Sequence, residues 1–194
     1  WGDWGVLVCS SAAAGGHLDV LKYLHERDCP WNWSTCSAAA GNGHLEVLKY
    51  AHERDCPWGL GICHDAASGG HLEVVKYLHE HDCPWDPLDP DMWEERGLLC
   101  SSAAEYGHLH VLKYLHEHNC PWDETTCYEA AGGGHLKVLK YALEHDCPWG
   151  DWGVLVCSSA AAGGHLDVLK YLHEHNCPWN EDTCCKAAAG GHLE

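Results

Sequence analysis

The sequence predicts an all-α fold, an α-solenoid of stacked helix–turn–helix repeats, and three observations carry this. The stretch Gly16-His17-Leu18-Asp19-Val20-Leu21-Lys22-Tyr23-Leu24-His25-Glu26 recurs with its His at 17, 44, 71, 108, 135 and 165, and a seventh copy starts at His192. Within each copy the apolar residues fall at helical spacing. A unit of about 27 residues is too small to bury its own apolar face, so neighbouring units have to stack.

Each unit reads in the same order. Its first helix is expected to open at a Cys (9, 36, 63, 100, 127, 157, 184) and to carry Ala at the third and fourth positions after it, as in Ala12 and Ala13. That pattern makes an i, i+3, i+4 stripe, and two Ala let a neighbouring helix approach closely. Gly15-Gly16, like Gly133-Gly134, then breaks the helix and forms a turn. The second helix starts near His17, with Val20, Leu21 and Leu24 inward, and Pro30 is expected to end it. The units run 9–35, 36–62, 63–99, 100–126, 127–156 and 157–183, with a partial unit at 184–194. Residues 149–174 repeat residues 1–26 without a change, and both ends fall inside a unit. This fits a piece of a longer array with a five-unit super-repeat, or a sequence joined from fragments.

The run Ala12-Ala13-x-x-Gly16-His17-Leu18-x-Val20-Leu21-x-x-Leu24 resembles the core of the ankyrin-repeat family in every unit. More narrowly, Cys29-Pro30-Trp31 followed by Thr35-Cys36 is similar to the short ankyrin-like arrays of algae, oomycetes and giant DNA viruses. The resemblance implies a non-catalytic scaffold that binds other proteins. Two departures matter. The usual Thr-Pro-Leu-His opening is replaced by segments such as Ser34-Thr35-Cys36-Ser37. The unit is also about six residues short of the usual 33, as expected if the projecting β-hairpin were shortened or absent. The exposed face of the first helix therefore becomes the candidate gripping surface.

Composition narrows the function. With 29 acidic against 11 basic residues the formal charge is −18, which argues against binding phosphate backbones and favours a solvated surface. No apolar run reaches the roughly 18 residues of a membrane span, and no leader is visible. The compartment is left open, leaning intracellular. The Gly pairs precede His-Leu in every unit, so they punctuate turns and do not cradle phosphate. Carboxylates are spread periodically, whereas a catalytic centre would break the symmetry. No enzyme is expected.

Comparing units with one another separates constant from variable positions. Lys22, Tyr23 and Glu26 have identical counterparts in all six complete second helices. Lys22 and Glu26, four apart, are expected to pair weakly, and Tyr23 to pack its ring with its hydroxyl outward. Variation concentrates after the first-helix Cys and before the turn. The candidate partner-facing residues are Ser10, Ser11, His64, Asp65, Glu105, Tyr128, Glu129 and Lys186. The alternative is neutral drift on a wet face. Two insertions break the period. Ten extra residues, including Asp86-Pro87-Leu88-Asp89-Pro90-Asp91-Met92-Trp93, are expected to form an extended loop that folds back over the array. Three extra residues lie in Gly150-Asp151-Trp152-Gly153.

The 14 cysteines raise the chemical question. Cys36-x7-His44 cannot share an ion, because the helix between them separates the two by about 9–12 Å. A better set joins the end of one unit to the start of the next: His25, Cys29 and Cys36. It recurs as His52, Cys56, Cys63; His79, Cys83, Cys100; His116, Cys120, Cys127; and His173, Cys177, Cys184, while Leu143 replaces the His beside Cys147 and Cys157. Three states stay open for these cysteines: buried thiols acting as small hydrophobes, disulfides of the Cys29–Cys36 kind between units, or a zinc site still short of a fourth ligand. The sequence thus supports a protein-binding scaffold first. A structural or filament-forming spacer, able to self-associate into a longer array, comes second, and a zinc-binding array third.

Overall fold

The computed structural model describes residues 4–59, 61–83, 85 and 99–191. Among them are thirteen α-helices and no strand. Numbered in chain order, the odd helices lead each repeat: α1 (Trp4–Ala14), α3 (Trp33–Gly41), α5 (Ile62–Ser68), α7 (Leu99–Glu105), α9 (Glu124–Gly132), α11 (Gly153–Ala162) and α13 (Glu181–Ala189). The even helices trail: α2 (Leu18–His25), α4 (Leu45–His52), α6 (Leu72–Glu80), α8 (Leu109–Glu117), α10 (Leu136–Glu144) and α12 (Leu166–Glu174). The chain forms two compact units, Trp1–Pro90 and Asp91–Glu194. Leading helices stack on leading helices, α1 to α3 to α5 in the first unit and α7 to α9 to α11 to α13 in the second. Trailing helices stack more loosely beside them. No described helix is long and apolar enough to cross a membrane. The expected loop at 86–93 lies outside the described residues.

The Ala stripe explains the closer packing of the leading helices. Ala39, Ala40, Ala66, Ala67, Ala130 and Ala131 are fully buried, so the backbones meet with little between them. The trailing helices contribute the larger side chains, Leu21, Leu48, Leu78, Leu112, Leu139 and Leu172. Stacking decides what is hidden. Val47, Val74, Val111, Val138 and Val168 are at most 2% exposed, whereas the same position in the first repeat, Val20, is 49% exposed.

Both ends of the trailing helix are set by local chemistry that differs from expectation. The leading helix does not open at its Cys. It starts up to five residues earlier, capped at Asn32, Asp123 and Asn180 by side chains that accept from the backbone N–H two residues on. Of the paired glycines, only the second breaks the helix: Gly16 sits at φ +69°, with His17 N–H bonded to Ala12 O at 2.9 Å in a Schellman turn. The first position accepts Asn42 or Tyr106 in other repeats. At the far end, Pro30 is not the stop. Asp28 takes a left-handed φ of +56° and Cys29 N–H reaches back to Leu24 O at 3.1 Å. Asp55, Asp82, Asn119, Asp146 and Asn176 repeat this geometry, and Asp and Asn tolerate it better than other residues with a Cβ.

The second glycine has a further duty. A Cβ on Gly43 would lie 2.5 Å from His71 Nδ1, while one on Gly150, at φ +46°, would meet nothing within 4 Å. Gly43→Ala is expected to cost roughly 1–3 kcal/mol in urea denaturation. Gly150→Ala should cost only the left-handed backbone penalty of roughly 1–2 kcal/mol.

Candidate functional site

The His that opens each trailing helix does not cap its own helix. His44 Nε2 lies 2.9 Å from Ala14 O, the last residue of α1 in the preceding repeat. His71 reaches Gly41 O at 3.1 Å, His135 reaches Glu105 O at 2.9 Å and His165 reaches Gly132 O at 2.9 Å. A carbonyl only accepts, so Nε2 carries the proton. Each imidazole thus caps the C-terminal end of the previous leading helix, where carbonyls lack partners.

The His at the other end of the trailing helix, proposed from sequence as a ligand, is held by aromatic rings. His25 stacks on Trp31 at 4.0 Å and 12°, and meets Tyr50 of the next repeat edge-on at 6.2 Å. His116 does the same with Trp122 (4.0 Å) and Tyr141 (5.9 Å). His79 packs on Trp85 at 4.2 Å, and His173 on Trp179 at 4.7 Å. The Tyr hydroxyls are not simply outward: Tyr77 Oη lies 2.9 Å from His52 Nδ1, and Tyr141 Oη lies 3.0 Å from His116 Nδ1. A basic residue closes each node from outside. Arg27 lies over Tyr23 at 3.5 Å and Arg54 over Tyr50 at 3.8 Å; His81 takes that place on Tyr77 at 4.1 Å. Lys22 approaches the Tyr50 ring of the next repeat at 5.7 Å. The Lys ion pairs run three residues back, Lys49 to Glu46 at 3.0 Å and Lys76 to Glu73 at 2.7 Å, and not four residues forward as Lys22 and Glu26 suggested.

This Trp–His–Tyr ladder was missed in the sequence, although one signal for it was present. Leu143 occupies the His position in the fifth repeat, and it can pack but cannot stack. There Leu143, Asp146, Cys147, Pro148, Trp149, Gly150 and His175 line a cleft of about 410 Å³ beside the three-residue insertion.

The cysteines are also partnered differently from the spacing argument. Cys9 and Cys29 bring their sulfurs to 3.5 Å, Cys63 and Cys83 to 3.4 Å, and Cys157 and Cys177 to 3.0 Å. Cys36, Cys100 and Cys127 likewise point at Cys56, Cys120 and Cys147. Each contact lies within one repeat and none joins Cys29 to Cys36. All twelve are buried thiols, and Cys184 and Cys185 are exposed thiols. Burial, with Cys29 alongside, pushes the Cys9 thiol up to about 12. Among the described residues no three His, Cys, Asp or Glu side chains converge as metal ligands.

The candidate partner-facing residues separate by burial. Ser11, Asp65, Glu105 and Lys186 are exposed, while Ser10, Tyr128 and Glu129 are half-buried. His64 is buried at 9% exposure and does not offer a ring to solvent. Tyr128 meets Trp152 of the insertion edge-on at 5.9 Å. Glu129 and Glu105 are brought together, and burial with the Glu105 charge raises the Glu129 carboxyl above its ordinary range.

Residues 9–91 and 100–183 match the family model for ankyrin repeats (3 copies). Among solved structures the chain is similar to the human ASB11 ankyrin repeat domain, with a TM-score of 0.71 and 21% identity over 88% of this chain and 84% of that one. At that identity the likeness shows the fold alone. No curated protein matches.

The ladder makes stability depend on pH. Burial lowers the His52 pKa, and His81 facing it at 5.2 Å adds to this against the opposing pull of Glu53 and Asp55. Burial and His145 do the same to His116, against Glu117. An imidazole depressed in the folded state is neutral in both states above about 6.5. As pH falls below that value the unfolded chain takes up the proton first, so stability is lost. The urea midpoint is therefore expected to drop between pH 7.5 and pH 5.5, and the double variant His52→Leu, His116→Leu should drop less.

Proposed function

The chain belongs to the ankyrin-repeat family, and on that premise we propose that it is a non-catalytic scaffold whose leading-helix face binds a basic segment of another protein. Ankyrin repeats generally mediate protein–protein interaction and are typically non-catalytic. The narrower likeness to short Cys-Pro-Trp arrays rests on Cys29-Pro30-Trp31 followed by Thr35-Cys36. One observation supports the proposed partner chemistry above others: burial, with the charge of Glu105 on the adjacent leading helix, raises the carboxyl of the half-buried Glu129 above its ordinary range. A Lys or Arg placed between them would relieve that repulsion. Of the chain's own cations, Lys22, Arg27 and Arg54 lie over Tyr rings, and Lys49 and Lys76 lie beside Glu residues of the trailing helices.

A second reading, a structural array that self-associates, is favoured by apolar exposure on α1, where Trp4 is 76%, Leu7 57% and Val8 40% exposed. Light scattering separates the two, because self-association raises the apparent mass with concentration.

For the scaffold reading, a display screen against the folded chain should return peptides rich in Lys and Arg. The double variant Glu105→Lys, Glu129→Lys should weaken a selected peptide by about tenfold or more, roughly 1.4 kcal/mol, without lowering the melting temperature. Enrichment of uncharged peptides, or binding indifferent to both substitutions, would count against this face.

A further inference from the structure

Each folded repeat brings together two cysteines 20 residues apart, and it does so six times. In three repeats the sulfurs touch, at 3.5, 3.4 and 3.0 Å. In the other three the leading-helix thiol points at the backbone carbonyl of its partner, at 3.8, 3.9 and 4.0 Å. The reason is topological. The trailing helix runs back beside the leading one, so the cysteine that ends the repeat arrives beside the one near its start. Two bonds then hold it there. Its N–H is tied to the trailing helix, as Cys29 to Leu24 O at 3.1 Å. Its thiol is turned toward the leading helix of its own repeat, donating to Gly5 O (3.4 Å), Asn32 O (3.2 Å), Asp123 O (3.3 Å) and Gly153 O (3.2 Å) from Cys29, Cys56, Cys147 and Cys177.

We propose that these pairs are intra-repeat disulfide sites: Cys9–Cys29, Cys36–Cys56, Cys63–Cys83, Cys100–Cys120, Cys127–Cys147 and Cys157–Cys177 close when a peroxide oxidises the folded array. One sulfur, as thiolate, attacks a peroxide oxygen. The O–O bond breaks, a sulfenic acid forms and one water leaves. The partner sulfur then attacks the sulfenic sulfur; the S–S bond forms, the S–O bond breaks, and hydroxide departs with the partner's proton as a second water. Two S–H groups and one peroxide become one disulfide and two waters, and the two electrons lost by the sulfur pair reduce the peroxide. Sulfurs in contact must approach by about 1–1.5 Å to reach the bond length of about 2.05 Å, a closure asked of side-chain rotation. The thiols are buried, so a small oxidant enters during local opening of a repeat.

A closed pair ties the body of a leading helix to the segment that follows its own trailing helix. It leaves the interfaces between repeats and the leading-helix face untouched. Oxidation therefore lends each repeat a stability of its own, which an array held only by neighbours lacks.

The test uses the full chain carrying Cys184→Ser and Cys185→Ser, which removes the two exposed thiols and leaves the twelve buried ones. The reduced protein is treated with hydrogen peroxide at neutral pH without denaturant, then digested without reduction and mapped by mass spectrometry. The expected result is six links, each within one repeat, a thiol titre falling from twelve to none, and a higher urea midpoint. Links across a junction, such as Cys29 to Cys36, would overturn the proposal. So would links between chains, sulfinic acid without links, or thiols that survive until denaturant is added. Adding Cys157→Ser should leave Cys177 as the one titratable thiol with five links intact, and Cys177 found joined to any other cysteine would also overturn it.

Discussion

Within each compact unit a repeat leans on its predecessor through one imidazole (His44 and His71 in the first, His135 and His165 in the second), which donates to the last carbonyl of the previous leading helix across a glycine that has no Cβ. A hydrogen bond of this kind contributes about 1 kcal/mol net, while burying a Val side chain contributes about 1.5–3 kcal/mol. The apolar stack therefore supplies most of the stability. The imidazole adds a directional tie between repeats whose stacking buries Val47 and Val74, while Val20, in the first repeat, stays exposed. Glycine is obligatory at the second turn position for two reasons at once, its positive φ and the ring that lies where a side chain would begin.

Most of the fold was legible in the sequence because repetition exposes it. The Ala stripe and the inward Leu residues follow from spacing alone, and the structure buries them. What the sequence obscured was pairing. Cys29 and Cys36 are seven apart in the chain, yet Cys29 meets Cys9, because two antiparallel helices of similar length return the chain to its starting level. Counting residues across a junction measures the linker and not the hairpin. His25 was open to a ligand role as one of three alternatives, since its chemistry allows that; what spacing did not reveal is that its ring packs between Trp31 and Tyr50. Of the candidate surface, Asp65 and Glu105 are exposed as variation suggested, while His64 is not, because the position after the Cys lies at the margin of the stripe.

Two kinds of position thus share each leading helix. The Ala residues are held to a single size by the neighbouring backbone, whereas Glu105 and Glu129 are free to differ from their counterparts because solvent reaches them. A scaffold of this kind can change what it recognises without changing how it stands.

The leucine at 143 deserves a mechanical reading. At His25, His52 and His116 a ring links the closing Trp of one repeat to the Tyr of the next, so a disturbance in one is felt by its neighbour. Leu143 offers no ring to Trp149 or Tyr171, and a cleft opens beside it. In an array whose cooperativity passes only between nearest neighbours, this joint is where coherence lapses. Pulled or partly denatured, the second unit would part there first, with the repeats on either side still intact.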